Sequence, residues 1–212
     1  RRVTNTPPNA NSASKAKNLD PGHYVCAPLS GEAPRGLLVF VPGLAAADYT
    51  LFAQTAAAVG YASVVISSEQ CAGLCTCASS ASLNCSATDP DTVRAVAECG
   101  YHSRVRRLVG NGTGAPPLPA HCSCTGVNTP NSIVGRLRAL LSHLKHGADF
   151  NLFGAFLDGQ GEPTWSNISA AGHSCASYYP LLLTTMHKLR RLVMVGGVGQ
   201  PLVGFGPMKI PP

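Results

Sequence analysis

Apolar positions in this chain fall into two kinds of run. Residues 36–41 (GLLVFV), 62–67 (ASVVIS) and 192–196 (LVMVG) are short and almost continuously apolar, and the first is closed by Pro42-Gly43. The first run predicts a central strand buried on both faces of a parallel sheet, and the other two read as further parallel strands of it. Between the first two, Asp48 is placed to cap a helix that turns Leu51, Phe52, Thr55, Ala56 and Val59 to one face and ends at Gly60. Strand, helix and strand in that succession predict a crossover unit with its two strands parallel. A second helical pattern starts at Asn131 or Ser132, turns Ile133, Val134, Leu137, Leu140, Leu141 and Leu144 inward and Arg136, Arg138, Lys145 and His146 outward, and stops at Gly147. Residues 23–27 read as a short first strand, and 167–171 as a strand of small and β-branched residues leading into another helix.

Two stretches lack such periodicity. Residues 1–20 are polar, with Pro7, Pro8, Lys15 and Lys17, and read as a disordered tail. Residues 68–130 show only a short helical pattern near 92–97. That is too long for a plain connection, so an insertion held by cysteines, or a mobile lid, is expected there. Asn131 and the Gly-rich segment after 196 bracket the last ordered part.

Composition adds a single domain over 21–212: the chain has 212 residues, 45% of them hydrophobic and 12% charged, enough for one substantial core. No apolar run is long enough for a membrane span, and the first residues do not read as a leader, so a mature form or a fragment is expected. The net charge of +6 comes from 16 basic residues scattered along the chain, which does not make a nucleic-acid stripe; Arg104, Arg106 and Arg107 read as a solvated face. Nine cysteines, with Cys71, Cys75, Cys77 and Cys85 crowded together and Cys122 and Cys124 within reach, predict disulfides in an oxidising, extracellular or secretory compartment. A zinc site is the alternative, but the usual Cys-x2-Cys spacing is missing and no metal is expected. The odd count leaves a free thiol, for which Cys175 is the candidate. The triplets at Asn84 and Asn111 fit glycosylation and agree with export.

The chemistry concentrates in Gly172-His173-Ser174-Cys175-Ala176, between a strand and a helical pattern. This is the arrangement of a nucleophile elbow with Ala in the final Gly position, and it makes Ser174 the candidate nucleophile. Small residues are needed where the helix crosses close to the strand, and Gly172 and Ala176 supply them. Gly196-Gly197-Val198-Gly199 suggests dinucleotide binding, but no helix follows and Pro201 interrupts it, so no cofactor is expected.

The segments LLVFVPG, DYTLFAQTAAAVGY, ASVVIS, NSIVGRLRALLSHL, AGHSCA and RLVMVGG, in this order, resemble the α/β-hydrolase superfamily of esterases and lipases. The resemblance runs from Gly36 to Gly197 and leaves out the cysteine-rich segment. It implies an α/β fold, a mostly parallel sheet with helices on both faces, here without the C-terminal part that carries the family's acid and histidine. It further implies attack by Ser174 on an ester or related acyl carbonyl of a small molecule, with the backbone N–H groups of Cys175 and Leu44 as oxyanion hole and Gly43, His173 and Glu69 near the pocket.

Several features depart from that pattern. No Asp or Glu follows Glu162, and the one histidine after Ser174 is His187, thirteen residues along a helix. That separation is about 20 Å, too far to take a proton from Ser174. His102 and His121, in the unassigned segment, are the remaining candidate bases. Pro180 falls in the first turns of the helix after the elbow, where it costs about 3 kcal/mol unless the helix starts late or kinks, so a distorted elbow is expected. The resulting expectation is a weakly active hydrolase, with a non-catalytic binding or scaffold protein as the alternative. The strand near 192–195 should lie at the sheet edge and favour self-association.

Overall fold

The structure, a computed structural model, describes residues 2–4, 22–28, 33–43, 49–67, 89–112, 115, 117–120, 122 and 127–196. In chain order the elements are β1 (Arg2–Thr4), β2 (Gly22–Cys26), β3 (Leu37–Val41), α1 (Thr50–Ala58), β4 (Ala62–Val65), α2 (Pro90–Val109), α3 (Ile133–Lys145), β5 (Ile168–His173), α4 (Tyr178–Met186) and β6 (Arg191–Val195). The strands form one mixed sheet in the order β1-β2-β4-β3-β5-β6. From β4 to β6 all neighbours are parallel, and β2 and β1 extend the sheet antiparallel. The strand β1 lies within the stretch read from sequence as a disordered tail: Arg2, Val3 and Thr4 pair with Tyr24, His23 and Gly22. Residues 5–20 lie outside the described residues.

Alternation along the strands divides the core into two layers. Val25, Leu37, Val39, Val41, Val64, Ile168 and Ala170 face α2, α3 and α4. On the other face Phe40, Val65 and Ala171 meet α1 through Ala53, with Tyr49 and Phe52 alongside. The α/β layering expected from sequence is thus present, with helices on both faces of the sheet.

The helices differ from their sequence reading in informative ways. Ala53, Ala56 and Ala57 are the buried residues of α1, whereas Leu51 is 69% exposed and Val59 55% exposed. Alanines spaced three and four apart allow the helix axis to lie close to Phe40 and Val65, and that close approach wins over burial of the larger Leu51. Asp48, the expected cap, lies outside the described residues; Tyr49 immediately precedes the helix. Gly60 ends this segment as expected, at φ 89.

In α3 the expected cap is present: the Ser132 hydroxyl accepts from Gly135 N–H at 3.0 Å and donates to the Thr129 carbonyl at 2.7 Å. Arg136, expected outside, is 6% exposed, since its guanidinium reaches backbone carbonyls of Asn131 at 2.9 Å and Ser67 at 3.2 Å. Its neighbour Gly135 sits against the Thr129 and Pro130 carbonyls, where a side chain would collide.

The largest difference is α2. It has 20 residues where the sequence reading placed a short helix near 92–97. Its buried residues, Val96, Cys99, Gly100, Ser103, Val105 and Leu108, are mostly small or polar, so no apolar stripe shows in the sequence. Its ends are well marked. Asp89 Oδ1 accepts from Thr92 N–H at 2.9 Å, Pro90 opens the helix, and Gly110 closes it at φ 90. The Cys99–Cys122 disulfide ties α2 to the segment beyond it.

At the far end, β6 is the outermost strand among the described residues, as expected, and Leu192, Val193 and Val195 are 36%, 40% and 40% exposed. An apolar strand with an open edge is a template for pairing with another chain. Concentration-dependent self-association in sedimentation velocity is therefore expected, and Val193→Lys should suppress it. A wild-type chain that stays monomeric at high concentration would contradict this reading of β6.

Candidate functional site at the carboxyl edge of the sheet

Parallel strands β3 and β5 lie side by side, but the chain leaves them in opposite directions: from β3 to β4 on one side, from β5 to β6 on the other. The carboxyl ends of two such strands are where ligands bind in open α/β sheets. Pro42-Gly43 follows β3 at this switch point, and Ser174 follows β5. The two loops nearly touch. A Cβ added at Gly43 would stand 3.3 Å from Ser174 Cβ, 3.1 Å from the His173 carbonyl oxygen and 3.2 Å from His173 Nδ1.

Ser174 has φ 55 and is the sole non-glycine residue with positive φ among the described residues. A left-handed serine costs about 1–3 kcal/mol and persists only where its surroundings over-determine it. Those surroundings can be named. The Ser174 N–H donates to the Gly196 carbonyl at 2.9 Å. Three residues on, the buried Ser177 hydroxyl lies 2.9 Å from the Gly172 carbonyl and 3.1 Å from that of Gly196, sharing its one proton between the ends of β5 and β6. At Gly172 a Cβ would meet the Ala176 carbonyl oxygen at 2.5 Å and Ser177 Cα at 2.9 Å, so the turn closes only over a bare backbone.

Pro180 is accommodated by a late start of the helix, the condition under which it was expected to cost nothing. Residues Ser174–Ser177 form a 3-10 turn and α4 begins at Tyr178, so Pro180 falls in the first helical turn. Backbone N–H groups there have no intrahelical acceptor, and a proline sacrifices nothing.

The other candidates divide into those the fold brings to Ser174 and those it does not. His173 is fixed by the Tyr49 hydroxyl, 2.7 Å from its Nδ1, and Tyr49 in turn packs on Phe40 with ring centroids 4.9 Å apart. This anchors the residue before Ser174 to the α1 layer. Tyr49 was not foreseen, because its partner is 124 positions away. His187 ends α4 at the opposite edge, about 20 Å away along β5, where it stacks on Trp165 at 4.5 Å; partial burial holds its pKa below the usual value, with Glu162 opposing. His102 lies on α2, edge-on to Tyr101. Leu44, Glu69 and His121 lie outside the described residues. Among the described residues no hydrogen bond links the Ser174 side chain to a histidine or a carboxylate, and no cluster of His, Cys, Asp and Glu is suited to a metal.

Cys175 requires a correction. It is not the free thiol: it is disulfide-bonded, and among the described residues the free cysteine is Cys26. Adjacency to Ser174 said nothing about which distant segment approaches Cys175 in space. It is half-buried on the same edge.

The carboxyl edge also holds a buried polar group that the sequence reading passed over. His23 Nδ1 accepts from Ser67 N–H at 2.9 Å, while Arg136 binds the Ser67 carbonyl. Burial, assisted by the Arg136 charge, lowers the His23 pKa from 6.5 to about 4.

No protein-family model matches this chain, and no curated protein matches it. No described helix is long and apolar enough to cross a membrane.

Two outcomes follow from this geometry. Gly172→Ala should lower stability by about 1–3 kcal/mol, read from the denaturant midpoint, because Ala176 O must move; Gly159→Ala, at a position with open space around it, is the control. For His23 the unfolded chain takes up the proton first, so its contribution is complete above pH 6.5 and is lost as pH falls toward 4. Loss of up to about 3 kcal/mol is expected across that window, and His23→Asn should flatten the fall. Parallel stability–pH curves for the two proteins would show that His23 is not its cause.

Proposed function

We propose that this chain is a serine hydrolase-like protein whose Ser174 turn addresses the carbonyl of a small ester or related acyl compound. The observation that carries this reading is the left-handed Ser174 between a parallel strand and a helix, at the point where the chain's direction switches. A strained serine in that position is what a nucleophile elbow requires. The quoted α/β-hydrolase segments supply six elements, and these lie in one sheet and its flanking helices, with Gly43 of the first segment against Ser174 of the fifth. Under this reading the Cys175 N–H and that of Leu44 stabilise the oxyanion, and Gly43, His173 and Glu69 border the pocket.

A second reading, a non-catalytic binding protein of the same fold, is favoured by one observation: His173, the histidine nearest the nucleophile, has its Nδ1 engaged by Tyr49. Among the described residues no imidazole is hydrogen-bonded to the serine, and without one the hydroxyl stays a poor nucleophile. Binding and oxyanion stabilisation alone retain about 10³ to 10⁴-fold acceleration over water in the best-measured case. Trace hydrolysis of activated short-chain esters and slow labelling of Ser174 by an alkyl fluorophosphonate, both abolished in Ser174→Ala, are therefore expected. Activity equal in wild type and Ser174→Ala would overturn the hydrolase reading and leave the binding one. Turnover of several per second (about the lower range for working enzymes) that requires Ser174 would instead overturn the missing base, and His102→Ala and His121→Ala would then identify it.

A further inference from the structure

The amino edge of the sheet, at the other end of β5 from Ser174, gathers cations from two distant segments. Lys188, Arg190 and Arg191 follow α4 in the run Lys188-Leu189-Arg190-Arg191, Arg35 precedes β3, and all four are exposed. The fold seats two of the guanidinium groups on bare backbone. Arg190 lies against Gly36, where a Cβ would stand 2.5 Å from its Nη1, and its guanidinium carbon is 6.0 Å from the centre of the Tyr61 ring. Beside that tyrosine the Arg35 stem runs along Gly60, where a Cβ would stand 3.5 Å from its Cδ and Nε. Arg191 pairs with Ser169 and Val193 with Ala171, a residue packed toward α1, so Arg191 is on the α1 side as well.

Among the described residues none of these four cations makes an ion pair. The described carboxylates belong to α2 and its cap or to the stretch between α3 and β5, and none is on the segments that supply the cations. Like charges set side by side without partners raise the local potential and draw in an anion. A guanidinium already held in place loses little freedom on meeting an oxyanion, and its planar fork suits one with several oxygens. Two features choose among polyanions. Tyr61 is covered by Arg190, and Trp165 is stacked on His187 at 4.5 Å, so these rings already have a partner where unpaired bases would need to stack. The Cys99–Cys122 disulfide, moreover, is a bond that persists in oxidising, extracellular surroundings, where polysaccharide sulfates are the polyanions at hand. We propose that Arg35, Arg190 and Arg191, with Lys188 beside them, form a binding site for a sulfated polysaccharide. The site is about 20 Å from Ser174 along β5, so it tethers the protein without occupying the serine turn and holds whether or not Ser174 hydrolyses anything.

Binding of the full chain to heparin is measured by calorimetry over a range of salt concentrations. Arg190→Gln/Arg191→Gln is expected to weaken it at least about tenfold at low salt and to reduce the slope of log K against log salt by about two, and Arg35→Gln alone by about one. Arg94→Gln/Lys145→Gln removes the same net charge from exposed positions on α2 and α3, and should change affinity less than about twofold at physiological salt. In the unaltered chain heparin should slow amide hydrogen exchange over residues 187–192 and leave residues 172–178 as they were. Should a variant not fold, that footprint decides by itself. Equal weakening by the two double variants, no effect of Arg35→Gln, or a footprint that spares residues 187–192 would each overturn the proposal. Single-stranded DNA, polyglutamate or desulfated heparin binding as tightly as heparin at the same salt would overturn it too, since sulfate would then not be what the site recognises.

Discussion

The carboxyl edge of this protein depends on one steric constraint: where β5 passes into α4, the returning chain lies so close to Gly172 that no side chain fits between them. Closing that turn forces Ser174 to φ 55 and brings Ala176 into full burial against the sheet. It also sets the Ser177 hydroxyl between two carbonyls that belong to different strands. The strain at Ser174 is a local cost imposed by packing, and it is sustained because the groups around it have no other low-energy arrangement.

The sheet delivers the rest of the site to that turn. Because β3 and β5 are adjacent while their connections diverge, Gly43 and Ser174 meet without either loop having to be long. The alanine face of α1 has a matching role. By lying close to Phe40 it places Tyr49, just ahead of the helix, within hydrogen-bond distance of His173. A bulkier inward face on α1 would lift Tyr49 away from the edge. Helix packing and the environment of Ser174 are thus linked through one aromatic residue.

Legibility in the sequence followed how much of each feature is local. The buried strands β3 and β4 and the exposed β6 all declared themselves as apolar runs, and the Ser132 cap and the Gly172-x-Ser174 turn declared themselves through residue types that short-range geometry demands. The helix α2 did not, because Cys99, Gly100 and Ser103 occupy core positions that a hydrophobicity pattern assigns to polar surface; the Asp89-Pro90 start and Gly110 stop were the usable signal. Arg136 defeated the pattern in the opposite sense, as a charge drawn inward by backbone carbonyls. Tyr49 with His173, Ser67 with His23, and the bond at Cys175 join positions far apart in the chain. Spacing rules carry no information about such pairs until the topology is known.

The carbonyl of Gly196 gives the edge strand a role beyond closing the sheet. It receives both the Ser174 N–H and the Ser177 hydroxyl, immediately after β6 ends. Among the described residues β6 is paired on one side only, and an outer strand of that kind is the part of a sheet that frays most readily. Each fraying event at β6 therefore withdraws the one acceptor of two hydrogen bonds that keep the serine turn in shape, so the stability of the turn is coupled to that of the strand. Anything that lengthens the residence of β6 on the sheet, a neighbouring molecule or a ligand bridging the two loops, also prolongs the geometry at Ser174 without touching it.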